Sequence, residues 1–133
     1  MFPTLDPLPL AIAFAANFLV GGIWYALFAN PWMREVGLDR DTIKTGRWPM
    51  PAYAIAAIGA AIQAVVFAFV IGWARPSGLG ETLLLGACIG LLAAFATGKH
   101  HAFARKSWLL FAIDGGNDFV GFVAMGLVWG LAT

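Results

Sequence analysis

Four apolar runs, each long enough to cross a bilayer as a helix and each set off from the next by a short polar stretch, restrict what this chain can fold into. About 20 helical residues cover the hydrocarbon core, and a helix satisfies its own backbone polar groups where no water is present. The runs cover roughly residues 8–28, 52–73, 81–103 and 108–131. The third extends past Lys99 to Phe103 because a lysine stem can snorkel to the headgroups. With 61% hydrophobic residues, 11% charged residues and a mean hydropathy of +0.82, the 133 residues carry more apolar surface than a soluble domain of this size encloses. The expected fold is an all-α integral membrane protein. It is a single membrane domain over 1–133, a four-transmembrane-helix bundle with antiparallel neighbours and no room for a soluble domain.

The stretches between the runs carry the charge. Residues 29–51 hold Arg34, Glu35, Asp39, Arg40, Asp41, Lys44 and Arg47. Pro31 is suited to opening a short helix there, with Trp32, Met33 and Val36 laid along the interface. Ala74-Arg75-Pro76-Ser77-Gly78 is a compact turn, which predicts a tight antiparallel hairpin of the second and third spans. The first and third loops hold Arg34, Arg40, Lys44, Arg47, Lys99, Arg105 and Lys106, seven of the eight basic residues, and the remaining loop holds only Arg75. The positive-inside rule makes the two basic loops cytoplasmic and places Met1 and Thr133 outside.

Several classes are disfavoured. A net charge of +1 supplies no field for nucleic acid. The single Cys88 builds neither a disulfide framework nor a thiolate cage and reads as a small hydrophobe. Ala13-Phe14-Ala15 has the form of a signal-peptide cleavage site, but Asp6 precedes it, no Lys or Arg does, and the apolar run continues beyond it. The segment reads as retained. Nucleophile-base motifs, phosphate loops and the zinc-protease pattern are absent. The tryptophans, Trp24, Trp32, Trp48, Trp73, Trp108 and Trp129, fall near span ends, where an aromatic belt accounts for them.

At 100° per residue the polar and small side chains form stripes. Asn17, Gly21, Trp24 and Phe28 share a face of span one, and Gly59 and Gln63 share one of span two. Gly86, Gly90, Thr97 and His101 line span three, and Asp114, Asn117, Asp118, Gly121 and Met125 line span four. Glycines have a packing use, because helices in lipid associate through close backbone contact. The packing candidates are Gly21, Gly86, Gly90, Gly121, Gly126 and Gly130; Gly86 with Gly90 and Gly126 with Gly130 have small-xxx-small spacing, serving contacts within the chain or self-association.

Asp118 lies roughly 15 Å along its helix from Trp108, near the bilayer centre. A carboxylate there costs at least ~2.5 kcal/mol, so it must pair, accept hydrogen bonds, meet water or take a proton. Asn17 and Gln63 lie at matching depth, predicting a polar cluster of Asn17, Gln63, Asn117 and Asp118, with Asp114 one turn away. The cluster is either interhelical glue or a proton-accepting or ligand-binding site. His101 is a candidate at the cytoplasmic end, where a turn near Arg105 brings it to the depth of Asp114. His100 and His101 point about 100° apart, so a shared metal ion is disfavoured against a hydrogen bond from one histidine to Asp114.

Two segments carry a family resemblance. Gly21-Gly22-Ile23-Trp24-Tyr25, followed by Phe28, Pro31-Trp32-Met33 and Gly37, resembles the opening of a bacterial four-span family known as domain of unknown function 1761. Phe103 through Trp108-Leu109-Leu110-Phe111-Ala112-Ile113-Asp114-Gly115-Gly116 is similar to its second half. The charged stretch Asp39 to Arg47 and the His100-His101 pair depart from that pattern. The resemblance implies four spans in a bacterial cytoplasmic (inner) membrane and lends no activity. The leading expectation is a non-enzymatic membrane protein without cofactor or metal, embedded in lipid as an accessory or assembly subunit of a larger complex or as a homo-oligomer. The alternatives are a proton or small-solute transporter or channel built on the acid-amide cluster, and a metal-dependent membrane enzyme. Any small-molecule ligand is not legible in the residues.

Overall fold

A computed structural model describes residues 3–39, 41 and 50–132. Arg40, Lys44, Arg47 and Trp48, and the chain ends at Met1 and Thr133, lie outside the described residues. Five helices are described: α1 (Pro7–Leu27), α2 (Ala29–Val36), α3 (Met50–Ala74), α4 (Leu79–Phe103) and α5 (Trp108–Ala132). Four of them, all but α2, are long and apolar enough to cross a membrane, with bounds within two residues of those read from the sequence.

Local chemistry sets the helix ends. Asp6 caps α1 by accepting from the Leu8 N–H at 3.2 Å, and Pro7 takes the first helical position, where a missing N–H costs nothing. Phe28 alone separates α1 from α2. The short helix starts at Ala29, two residues ahead of the expected Pro31, because Pro31 sits within the first turn and has no intrahelical bond to lose. Gly37 closes α2 in the left-handed region (φ 75°), and the Leu38 N–H reaches back to the Met33 carbonyl at 2.9 Å. At α4, Glu81 Oε2 accepts from the Ser77 N–H at 2.7 Å. At α5, Ser107 Oγ accepts from the Leu110 N–H at 3.0 Å.

The long helices are apolar all round, so large side chains cover both the interior and the outside. Ile55, Leu92 and Leu131 are 69%, 74% and 71% exposed, which only a hydrocarbon surround makes inexpensive. The chain is a multi-pass membrane protein.

Helix α5 is the centre of the arrangement, packing along α4 and against α1. The α4–α5 contact is a backbone approach made possible by glycine. A β-carbon on Gly86 would stand 2.5 Å from the Phe122 carbonyl oxygen, and one on Gly126 would stand 2.5 Å from that of Thr82. Gly90 lies against Phe119, Gly115 against Ala94, and Gly130 against Thr82 and Leu79. Helices α3 and α4, although joined by the short turn 75–78, diverge from it and do not pack as the tight hairpin expected. The glycine face of α4 is taken up by the backbone of α5. Helix α3 packs mainly on α1 and reaches α5 through Phe67 and Phe122, whose ring centroids are 6.0 Å apart.

The apolar core lies in one half of the molecule. Ala13 of α1, Ala64, Phe67, Ala68 and Ile71 of α3, and Phe122, Met125 and Trp129 of α5 form one buried cluster, with Leu85 and Ile89 of α4 against it. Trp129 is therefore a core residue and not part of an interfacial belt; its helix position near a span end concealed that its face is turned inward.

Candidate functional site

The other half of the molecule holds the polar side chains. Near the end of α1, the end of α4 and the start of α5, two side chains meet on the carboxylate of a third residue, Asp114. The Tyr25 hydroxyl donates to Asp114 Oδ1 at 2.7 Å, and His101 Nε2 lies 2.8 Å from Asp114 Oδ2. His101 and Asp114 are 19% and 20% exposed, so neither is surrendered to bulk water. Alongside, the Trp24 indole N–H donates to the Ile113 carbonyl at 2.7 Å while its ring covers Gly116, whose missing side chain makes the space. A second partner on a helical carbonyl is available because the oxygen has two lone pairs.

One turn deeper, the Thr97 hydroxyl of α4 donates to Asp118 Oδ2 at 2.6 Å. On the α1–α3 side, Asn17 Nδ2 donates to Gln63 Oε1 at 2.9 Å. A side chain on Gly121 would collide with Asn17 Oδ1, so this glycine fits the amide against α5. Gly21 stands beside Asn117, whose Oδ1 is 3.7 Å from where its β-carbon would be, an ordinary contact distance. Asn117 itself has no hydrogen-bond partner among the described residues.

Around these groups α1, α2, α3 and α5 enclose a cleft of about 850 Å³. Small residues on the facing sides of α1 and α3 create the volume: Gly21, Gly22 and Ala26 on one, Ala52, Ala56, Gly59 and Ala60 on the other. Among the described residues no atom lies within 4 Å of a β-carbon built on Gly22 or Gly59, so these two glycines open a space, unlike Gly86, Gly90 and Gly126, which close one. Trp32 and Met33 of α2 cover one end, while Asn17, Gln63, Asn117 and Asp118 line the cleft. Phe18 and Tyr53, 40% and 54% exposed, stand along it and leave it open to the surroundings.

The structure thus brings Asn17, Gln63, Asn117 and Asp118 to one cleft, but distributes their hydrogen bonds differently from a single knot. The two amides bond each other, and Asp118 turns to Thr97 on the next helix. Asp114 and His101 form a separate set nearer the α4–α5 turn. The stripes put Trp24 and Thr97 on the faces they use, although the aromatic belt also claims Trp24 and neither the hydroxyl of Thr97 nor that of Tyr25 has a role legible in the sequence. The polar tips of Trp24 and Tyr25, adjacent and next to two glycines, were the available signal. Among the described residues no group of three His, Cys, Asp or Glu side chains is placed to hold a metal ion. Cys88 is exposed on α4.

Among curated proteins and solved structures nothing matches this chain. A family profile does, over residues 8–130, which takes in all four apolar helices and every polar side chain of the cleft. The chain belongs to the family described as Protein of unknown function (DUF1761).

Proposed function

We propose that this chain is a non-enzymatic membrane protein that works by holding a small molecule in the cleft between α1 and α3. The observation that carries the reading is the pairing of an apolar cavity of about 850 Å³ with polar side chains at its inner wall. Ligand sites combine mainly apolar walls with a few placed polar groups, and this volume lies within the range of such sites. An unpartnered amide at this depth costs energy unless it meets water or a ligand, and Asn117 lies open to the cleft in that condition. The neighbouring carboxylates are engaged in bonds between helices, Asp114 with Tyr25 and His101, Asp118 with Thr97, which hold them in place.

The frame proposed for this function is a four-helix bundle with neighbours running antiparallel, in a bacterial cytoplasmic membrane and with both ends outside. Thr82 faces Gly126, Gly86 faces Phe122 and Ala94 faces Gly115, a falling series that supports opposed directions for α4 and α5. The distribution of lysine and arginine supports the orientation. In this frame the cleft lies in the cytoplasmic half and the core seals the other. Transport of a proton or solute would require Phe67, Phe122 and Met125 to part.

The test is retention. Protein taken from native membranes into lipid nanodiscs is expected to carry a bound small molecule detectable by native mass spectrometry. Gly59→Phe, which fills open space, is expected to lose it while keeping its helical content. Equal retention by that variant would overturn the reading.

A second reading, association with another membrane subunit or a second copy, is favoured by Ile55, Ile58, Ile62 and Val66, an exposed row along α3 beside the cleft. A strictly monomeric species with no co-purifying protein in mild detergent would dismiss it.

A further inference from the structure

The charge of the cleft narrows what fits it. Its lining contains one carboxylate, Asp118, and no lysine, arginine or histidine among the described residues. The remaining polar groups are the three carboxamides of Asn17, Gln63 and Asn117, with the side chains of Tyr25, Tyr53 and Trp32 on the walls. An anion entering this space would meet an acid and no counter-charge, at a depth where such repulsion is poorly screened. A cation would meet a carboxylate already oriented by Thr97, amide oxygens, and aromatic faces, which attract positive charge most strongly when desolvated. The walls between Tyr53 and the polar groups are glycine, alanine and phenylalanine, suited to a hydrocarbon and not to a second polar group.

We propose that the cleft is a site for a cationic amphipath, an alkylammonium whose head lies among Asp118, Asn117 and the Asn17–Gln63 pair and whose hydrocarbon runs along α1 and α3. The proposal rests on the reading of the cleft as a ligand site and adds the charge and shape of the ligand. Asp118 is the specificity-determining residue, Asn117 supplies an amide oxygen to the ammonium, and Gly22 and Gly59 provide room for the chain.

Binding of radiolabelled decylammonium, decanol and decanoate to the full chain in nanodiscs, corrected with empty nanodiscs for partition into lipid, tests it. The expected result is saturable decylammonium binding at least tenfold tighter than decanol and no measurable decanoate binding. Asp118→Asn, which keeps an acceptor for Thr97, is expected to remove that preference, and Gly59→Phe to abolish saturable binding of every probe. Decanol or decanoate bound as tightly as decylammonium, or a preference unchanged in Asp118→Asn, would overturn the cationic assignment and leave the cleft as a ligand site. Absence of saturable binding, or binding that survives Gly59→Phe, would overturn both. Circular dichroism and a monodisperse elution profile distinguish either variant's loss of binding from loss of fold. Should Asp118→Asn fail that control, Asn117→Leu takes its place, with the same selectivity expected to fall and an unchanged selectivity counting against the proposal.

Discussion

The Tyr25 hydroxyl on α1 reaches the Asp114 carboxylate on α5 at 2.7 Å, joining positions 89 residues apart beside a carbonyl that already accepts from Trp24. Tyr25→Phe removes the donor and leaves Asp114 with His101 alone. Hydrogen bonds inside helical membrane proteins average about 0.6 kcal/mol and reach about 1.7. The expected loss is about 1 kcal/mol in reversible SDS unfolding. In a double-mutant cycle with Asp114→Ala, the coupling energy should fall in the same range. Additivity within about 0.3 kcal/mol would show that this bond does not tie α1 to α5.

The glycines separate into two kinds whose substitution should have opposite results. At Gly126 a β-carbon would meet the Thr82 carbonyl oxygen at 2.5 Å and Leu83 Cα at 3.4 Å, both backbone atoms that move only if α4 moves. Gly126→Ala is expected to cost about 1–3 kcal/mol, the range of overpacked interiors. At Gly22 nothing among the described residues lies within 4 Å, so Gly22→Ala should be neutral or gain up to about 1 kcal/mol from better helix propensity. Thermal unfolding in one detergent measures both. Equal losses at the two sites would contradict the division into packing and cleft glycines.

This division also marks where the sequence stops being informative. Hydropathy locates four helices because each must cover a fixed thickness of hydrocarbon, and Asp118 and Asn17 are legible as bundle-facing because lipid excludes them. The partner of each polar group is not legible, since a stripe gives a direction and not the neighbour standing there. Asp118 therefore turns to Thr97, a hydroxyl with no charge to advertise it. The cleft is invisible for a related reason. Gly22 and Gly86 look alike in a string of letters, and only the helix that stands opposite each decides the outcome: α5 brings its backbone against Gly86, while Gly22 faces the cleft between α1 and α3.

Asn117 offers a test in which stability and function move apart. Its side chain has no partner among the described residues and lines the cleft, so Asn117→Leu removes no hydrogen bond and adds apolar contact. Stability is expected to stay level or rise by about 1 kcal/mol, while retention of the native small molecule falls at least fivefold. Strong destabilisation, beyond about 2 kcal/mol, would mean that Asn117 is a packing residue.

Orientation can be settled with two engineered cysteines. Lys106 and Ser77 are exposed at opposite turns, the first between α4 and α5, the second between α3 and α4. The native Cys88 is exposed on α4 and must first become alanine. With seven of eight basic residues in the loops that belong with Lys106, a membrane-impermeant maleimide added to spheroplasts should label Ser77→Cys at once and Lys106→Cys only after permeabilisation. The reverse pattern would turn the molecule over, putting the cleft in the outer half of the bilayer, where its ligand would have to arrive from outside the cell.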